Sequence, residues 1–175
     1  VGIIAAISFD FRRVYPGLKD GVNASIGGSL LAVMNTASEY GFGAIIAALP
    51  GFAIISHALG NTFTNPLVNG AVTTTVLAGV TGSASGGMSI ALSAMADQYN
   101  AAILAMGIPP EVMHRIVAMA SGGMDTLPHN GAVITLLAVT GLTHKQSYKD
   151  IFAITIIKTI AVFVAIAAFS WFGIV

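Results

Sequence analysis

The chain has 175 residues, 55% hydrophobic and 8% charged, and its seven Lys and Arg balance its seven Asp and Glu. Soluble domains carry about 25% charged residues, so this chain cannot face water all round, and lipid is the natural solvent for much of its surface. The zero net charge, with no basic stripe, excludes nucleic acid as a partner. The absence of cysteine excludes disulfides, thiolate metal sites and cysteine nucleophiles.

Val1 to Phe9 reads as the end of a spanning helix. Because the chain opens inside this apolar run, an amino-terminal part is expected to be missing. A loop over Asp10 to Asp20 follows, with Arg12, Arg13 and Lys19 as topology and headgroup anchors. Val22 to Leu59 is apolar but too long for one plain helix of about 20 residues. We expect a spanning helix ending near Asn35, then an arm helix at lipid level, with the interruption at Asn35-Thr36-Ala37-Ser38-Glu39. That interruption either borders a cavity, which makes Asn35 and Thr36 secondary ligand candidates, or is a surface turn.

From Tyr40 to Ala96 there is no Asp, Glu, Lys or Arg. After a polar break over Asn61 to Asn65, two short apolar stretches, Pro66 to Thr81 and Gly87 to Tyr99, flank the tip Gly82-Ser83-Ala84-Ser85-Gly86-Gly87. Each is short for a full crossing, so the pair predicts a re-entrant hairpin over about 66–99. Pro109 to Thr140 is apolar again but broken over Ser121 to Gly131, giving a broken helix over about 109–141. A polar loop over Thr143 to Asp150 leads to the last spanning helix, about 151–175, with Lys158 near its start and Trp171 at its far interface. The positive charge of the loops 10–20 and 143–150 places both in the cytoplasm and the carboxy terminus outside.

Broken helices in hydrocarbon need shielding by protein or a water-filled cavity, and their free N–H groups suit anions. At the tip, glycines allow close backbone approach and Ser83 and Ser85 supply hydroxyls. The same pattern also describes an ordinary loop or a small-residue packing face. In the second break, Asp125, His129 and Asn130 fall inside an apolar span with Pro128. Ionisable residues at that depth are costly and usually functional. Asp125 or His129 is therefore a candidate for the coupling proton, the alternatives being a helix cap for Asp125 and a packing imidazole for His129. No GxSxG, HExxH or phosphate-binding loop appears, so an enzyme is not expected, and no metal site or cofactor is indicated.

The run GSASGG, then PPEVMHRIVAMASGGMDTLPHNGAVI, then YKDIF, with GGSLLAVMNTASEYGFGAII upstream, resembles the carboxy-terminal half of the gluconate permease (GntP) family in the ion transporter superfamily. Gly82-Ser83-Ala84 and His129-Asn130 are the matching positions. The resemblance implies an all-α integral membrane fold of two inverted repeats, each with a re-entrant helical hairpin and a broken transmembrane helix. This chain would be one repeat, completed by a missing amino-terminal repeat in a multi-pass protein of the bacterial inner membrane. It implies a homodimer, an elevator-like motion, and symport of a small organic anion such as gluconate or 3-hydroxybutyrate with H+ or Na+. Gly82, Ser83, Ala84, Ser85, Thr126, His129 and Asn130 would bind the substrate. The break reads DTLPHNG where the family more often has SHVNDPG, which points to a smaller or less hydroxylated acid. The rival class is a membrane channel or a non-transporting scaffold.

Overall fold

The computed structural model describes residues 2–60 and 62–174, with the side chains of Ile3, Ala6, Glu39, Ala47 and Ser56 excepted. Val1, Val175, the Asn61 that opens the expected polar break, and the Glu39 side chain lie outside the described residues. Helices account for every regular element among these residues, and no strand occurs among them.

The chain forms two units that divide after Asn35. The first holds α1 (Gly2–Phe9), α2 (Phe11–Val14), a 3-10 turn over Tyr15–Gly17 and the first half of α3 (Leu18–Ala47). The loop expected over Asp10 to Asp20 is therefore helical. Asp10 explains the start, because its carboxylate accepts the Arg13 backbone N–H at 3.2 Å and caps α2. A groove of about 850 Å³, lined among others by Ile7, Val14, Val22 and Ser25, runs along this unit. It contains none of the expected ligand residues.

A second correction concerns Asn35 and Thr36. The sequence reading ended a helix there, yet α3 runs through Asn35–Glu39 without a break and stops at Ala47. Small polar residues are tolerated inside an apolar helix because no Gly or Pro forces a stop there. Pro50, which opens α4 (Pro50–Gly60), supplies the stop, since it lacks an N–H and disfavours helix at the residue before it. Asn35 and Thr36 are thus interior helix residues and do not line a break.

In the second unit α5 (Pro66–Thr81) is the hub. It packs against α4, α6 (Ala84–Ala105), α7 (Pro110–Ser121) and α9 (His144–Phe172). Asn65 starts it, accepting the Leu67 and Val68 N–H groups at 2.9 and 3.2 Å, with Pro66 at the first helical position, where a missing N–H costs nothing. Most of its side chains are buried. Leu67 and Ala71 join Met95, Tyr99 and Ile103 of α6, Val112, Met113, Ile116, Val117 and Ala120 of α7, and Val162 and Ile166 of α9 in one apolar cluster. A smaller cluster sets Val133 and Leu137 of α8 (Gly131–Thr140) on Ile151 of α9.

Helix α6 reaches Ala105, past the Tyr99 at which the sequence reading ended it. The last helix starts at His144, so the loop expected over Thr143 to Asp150 is in fact its first turns. The cause is a cap: Gln146 Oε1 accepts the Thr143 N–H at 2.9 Å and the Thr143 hydroxyl at 2.8 Å. At 29 residues, α9 is about 43 Å long and exceeds a ~30 Å hydrocarbon core. It is the one described helix long and apolar enough to cross a membrane alone. The bent run of 11–46 with 50–60 is a second candidate if it forms one span. Only 22% of the apolar window of α9 is covered by the rest of the chain.

Asn69, which the sequence reading passed over, ties the hub to its neighbours. Its amide reaches the carbonyls of Leu59, Gly60 and Phe63 at 3.1, 2.8 and 3.2 Å, so it closes the carboxy-terminal end of α4. Its Oδ1 accepts from the Tyr99 hydroxyl at 3.1 Å and the Thr73 hydroxyl at 3.3 Å. Asn69→Leu removes all of these at a residue only 2% exposed. Leaving several buried polar groups unpaired costs about 3 kcal/mol. A clear drop in the thermal unfolding temperature of the full-length protein is the expected result.

Candidate functional site

The hairpin tip is shorter than the sequence implied. The sequence reading started the second half near Gly87, whereas α6 starts at Ala84. Only Gly82 and Ser83 separate the two helices. Gly82 caps α5 in the left-handed conformation at φ +68°, which glycine adopts without steric penalty. Ser83 then turns the chain into α6, and its hydroxyl accepts the Gly86 N–H at 3.2 Å. That hydroxyl keeps its own proton and lies 3.4 Å from the Ser85 hydroxyl. Ser83 is buried and Ser85 exposed.

The second break covers Gly122 to Asn130 between α7 and α8. Asn130 caps α8, with Oδ1 accepting the Ala132 N–H at 2.7 Å. Its amide nitrogen donates to the Gly82 carbonyl. One buried side chain, 2% exposed, thus caps one half-helix and holds the end of another. His129 adds a second bridge, its Nε2 lying 3.0 Å from the Gly79 carbonyl. A carbonyl only accepts, so this bond places a proton on Nε2. The ring also sits over Gly82, where an added Cβ would come within 3.0 Å of His129 Cδ2. The structure therefore brings Gly82, Ser83, His129 and Asn130 together from sequence positions almost fifty residues apart. Ala84 and Ser85 form the first turn of α6, whose leading N–H groups have no acceptor inside the helix.

Thr126 and Asp125 point elsewhere. The Thr126 hydroxyl bonds the Thr155 hydroxyl of α9, and its carbonyl accepts the Tyr148 hydroxyl at 3.3 Å. Asp125 forms an ion pair with Lys158 of α9, Nζ to Oδ1 at 2.6 Å. It is thus neither a helix cap nor an unpaired acid. Sequence reasoning saw Lys158 but gave it no role. An open recess of about 550 Å³, lined by Pro128, His129, His144, Lys145 and Tyr148, adjoins the break. His144 Nε2 reaches the Pro128 carbonyl at 3.0 Å. Among the described residues no group of His, Asp and Glu is arranged to hold a metal ion.

The chain is 71% identical over its full 175 residues to a protein of Bacillus subtilis (strain 168) named "Uncharacterized transporter YxjC". It spans 37% of that protein's length. No family model matches the chain, and no solved structure matches it. A mean hydropathy of +0.86, an all-helical architecture, the apolar α9 and a relative named as a transporter together point to a membrane protein.

Proposed function

We propose that this chain is the substrate-holding part of a secondary active transporter for small hydroxy-carboxylates, in a multi-pass protein of the bacterial inner membrane. The observation that carries the reading is the joining of the two broken elements, with Asn130 bonded to the Gly82 carbonyl and His129 to the Gly79 carbonyl. Two half-helices, α6 and α8, begin at this junction. Their amino-terminal N–H groups and dipoles favour a carboxylate. Ser83 and Ser85 have hydroxyls for the substrate, and His129 has a second ring nitrogen. Broken helices meeting inside a membrane protein form the arrangement that transporters use for substrates and coupling ions. The name of the Bacillus subtilis relative, a transporter, supports the transporter class. The resemblance to gluconate permeases supports the substrate class, with gluconate and 3-hydroxybutyrate as the first acids to try. Proton or sodium symport, with Asp125 and His129 as coupling groups, follows from the same reading, as do a homodimer and a partner repeat outside this chain.

The chain has no cysteine, which allows a direct test. Ser85→Cys in an otherwise cysteine-free full-length protein puts one exposed thiol at the hairpin tip. Substrate acid should slow its maleimide labelling by about tenfold when the site is near saturation. An equal rate with and without each acid, under both proton and sodium conditions, argues against a carboxylate at the tip.

A further inference from the structure

Lys158 stands out on α9, whose apolar run begins at Ile151 after the charged first turns. It lies about 10 Å inside that run, where a lone ammonium is costly. Its partner Asp125 comes from the second break, so the pair ties α9 to the segment that ends in Asn130. The Thr126–Thr155 hydroxyl bond makes the same connection one turn earlier on α9. Stability is a weak account of the pair. A desolvated ion pair is often no more stabilising than apolar residues of the same volume, and α9 has abundant apolar neighbours. Nor is the pair sealed, because Lys158 is 33% and Asp125 22% exposed. Among the described residues of this chain, therefore, nothing closes off the carboxylate.

Building on the transporter reading above, we propose that Lys158 is an exchangeable counter-charge: it holds Asp125 while the coupling site is empty, and is released when a cation neutralises Asp125, which adds a free positive charge beside the break. Lysine and the coupled cation compete for the same carboxylate oxygens. A free ammonium beside the break then attracts an anion. Each ligand therefore improves the site for the other, and the coupling is equal in both directions. This gives symport a physical basis, since substrate without cation meets a site whose positive charge is already paired.

The test needs no substrate. Wild-type full-length protein, Lys158→Gln, Asp125→Asn and the double variant are purified in detergent. Thermal unfolding is followed against sodium, with choline as control, and against proton concentration. The titratable groups lining the recess beside the break are His129 and, at the start of α9, His144, Lys145 and Tyr148. His129→Gln and His144→Gln therefore serve as controls in the proton series. Wild type should be protected by one of the two cations. Lys158→Gln should reach half-protection at about tenfold lower concentration of that cation, because a competing charge a few ångströms away is gone. Asp125→Asn and the double variant, which also removes the uncompensated charge, should fold and show no protection. An unchanged or weaker response in Lys158→Gln, a response that survives in Asp125→Asn, or no response in wild type overturns the inference. A protein that behaves as stated but takes up no hydroxy-carboxylate keeps this inference and loses only the substrate class.

Discussion

Gly87→Ala is expected to unfold the hairpin. A Cβ at Gly87 would fall on the backbone nitrogen and Cα of Ala78, on the facing helix α5. Backbone cannot rotate aside as a side chain can, so the two helices must separate and break their shared core. Overpacking with no flexible neighbour lies at the upper end of such effects, about 3 kcal/mol or more. Full-length Gly87→Ala should lose most of its folded yield, and what folds should melt well below wild type. Gly86→Ala is the control. There the nearest atoms are Cβ and Oγ of Ser83, at 3.2 and 3.3 Å, and the effect should be smaller. Equal melting of Gly87→Ala and wild type would mean that α5 and α6 do not pack this closely.

Asn130→Ala should have the second largest effect, and for two separable reasons. The cap on Ala132 N–H is lost, which costs about 1 kcal/mol. The Gly82 carbonyl is left buried without its donor, which adds about 1–3 kcal/mol. Asn130→Asp separates the two, since a carboxylate still accepts from Ala132 but donates nothing to Gly82. The aspartate variant should recover the cap and remain less stable than wild type. Wild-type stability in Asn130→Asp would show that the bridge between the break and the tip contributes nothing. Because Asn130 carries fold as well as any ligand, uptake by its variants must be normalised to folded protein. Ser83→Ala, which loses one capping bond at an otherwise intact tip, is the cleaner probe of function.

Much of this arrangement was legible because each signal had one dominant physical cause. Asn65-Pro66 begins α5 and Gly82 ends it, by capping chemistry that is local in sequence. The break at Ser121 to Gly131 was visible from Pro128 and the polar run around it. That tip and break would meet came only from the resemblance, because no local rule pairs Asn130 with a carbonyl on another helix. Other features were misread for equally specific reasons. The polar residues over Thr143 to Asp150 looked like a loop, and the Thr143–Gln146 cap was overlooked. Lys158 drew no role because no local rule pairs it with Asp125, which lies 33 residues earlier. Asn35 to Glu39 looked like a stop because polarity was weighed above the absence of Gly and Pro. Asn69 carried no signal, since one asparagine in an apolar stretch does not reveal the three carbonyls it meets.

The most direct test of the central claim is uptake. Full-length protein in proteoliposomes with an inward proton gradient, and separately a sodium gradient, is offered labelled gluconate and 3-hydroxybutyrate. Wild type should accumulate one of these acids saturably, collapse of the driving gradient should abolish accumulation, and Ser83→Ala should reduce it by about tenfold or more, the effect of losing one hydrogen bond to a charged group. Failure to accumulate either acid under either gradient, or full accumulation by folded Ser83→Ala, would contradict the account.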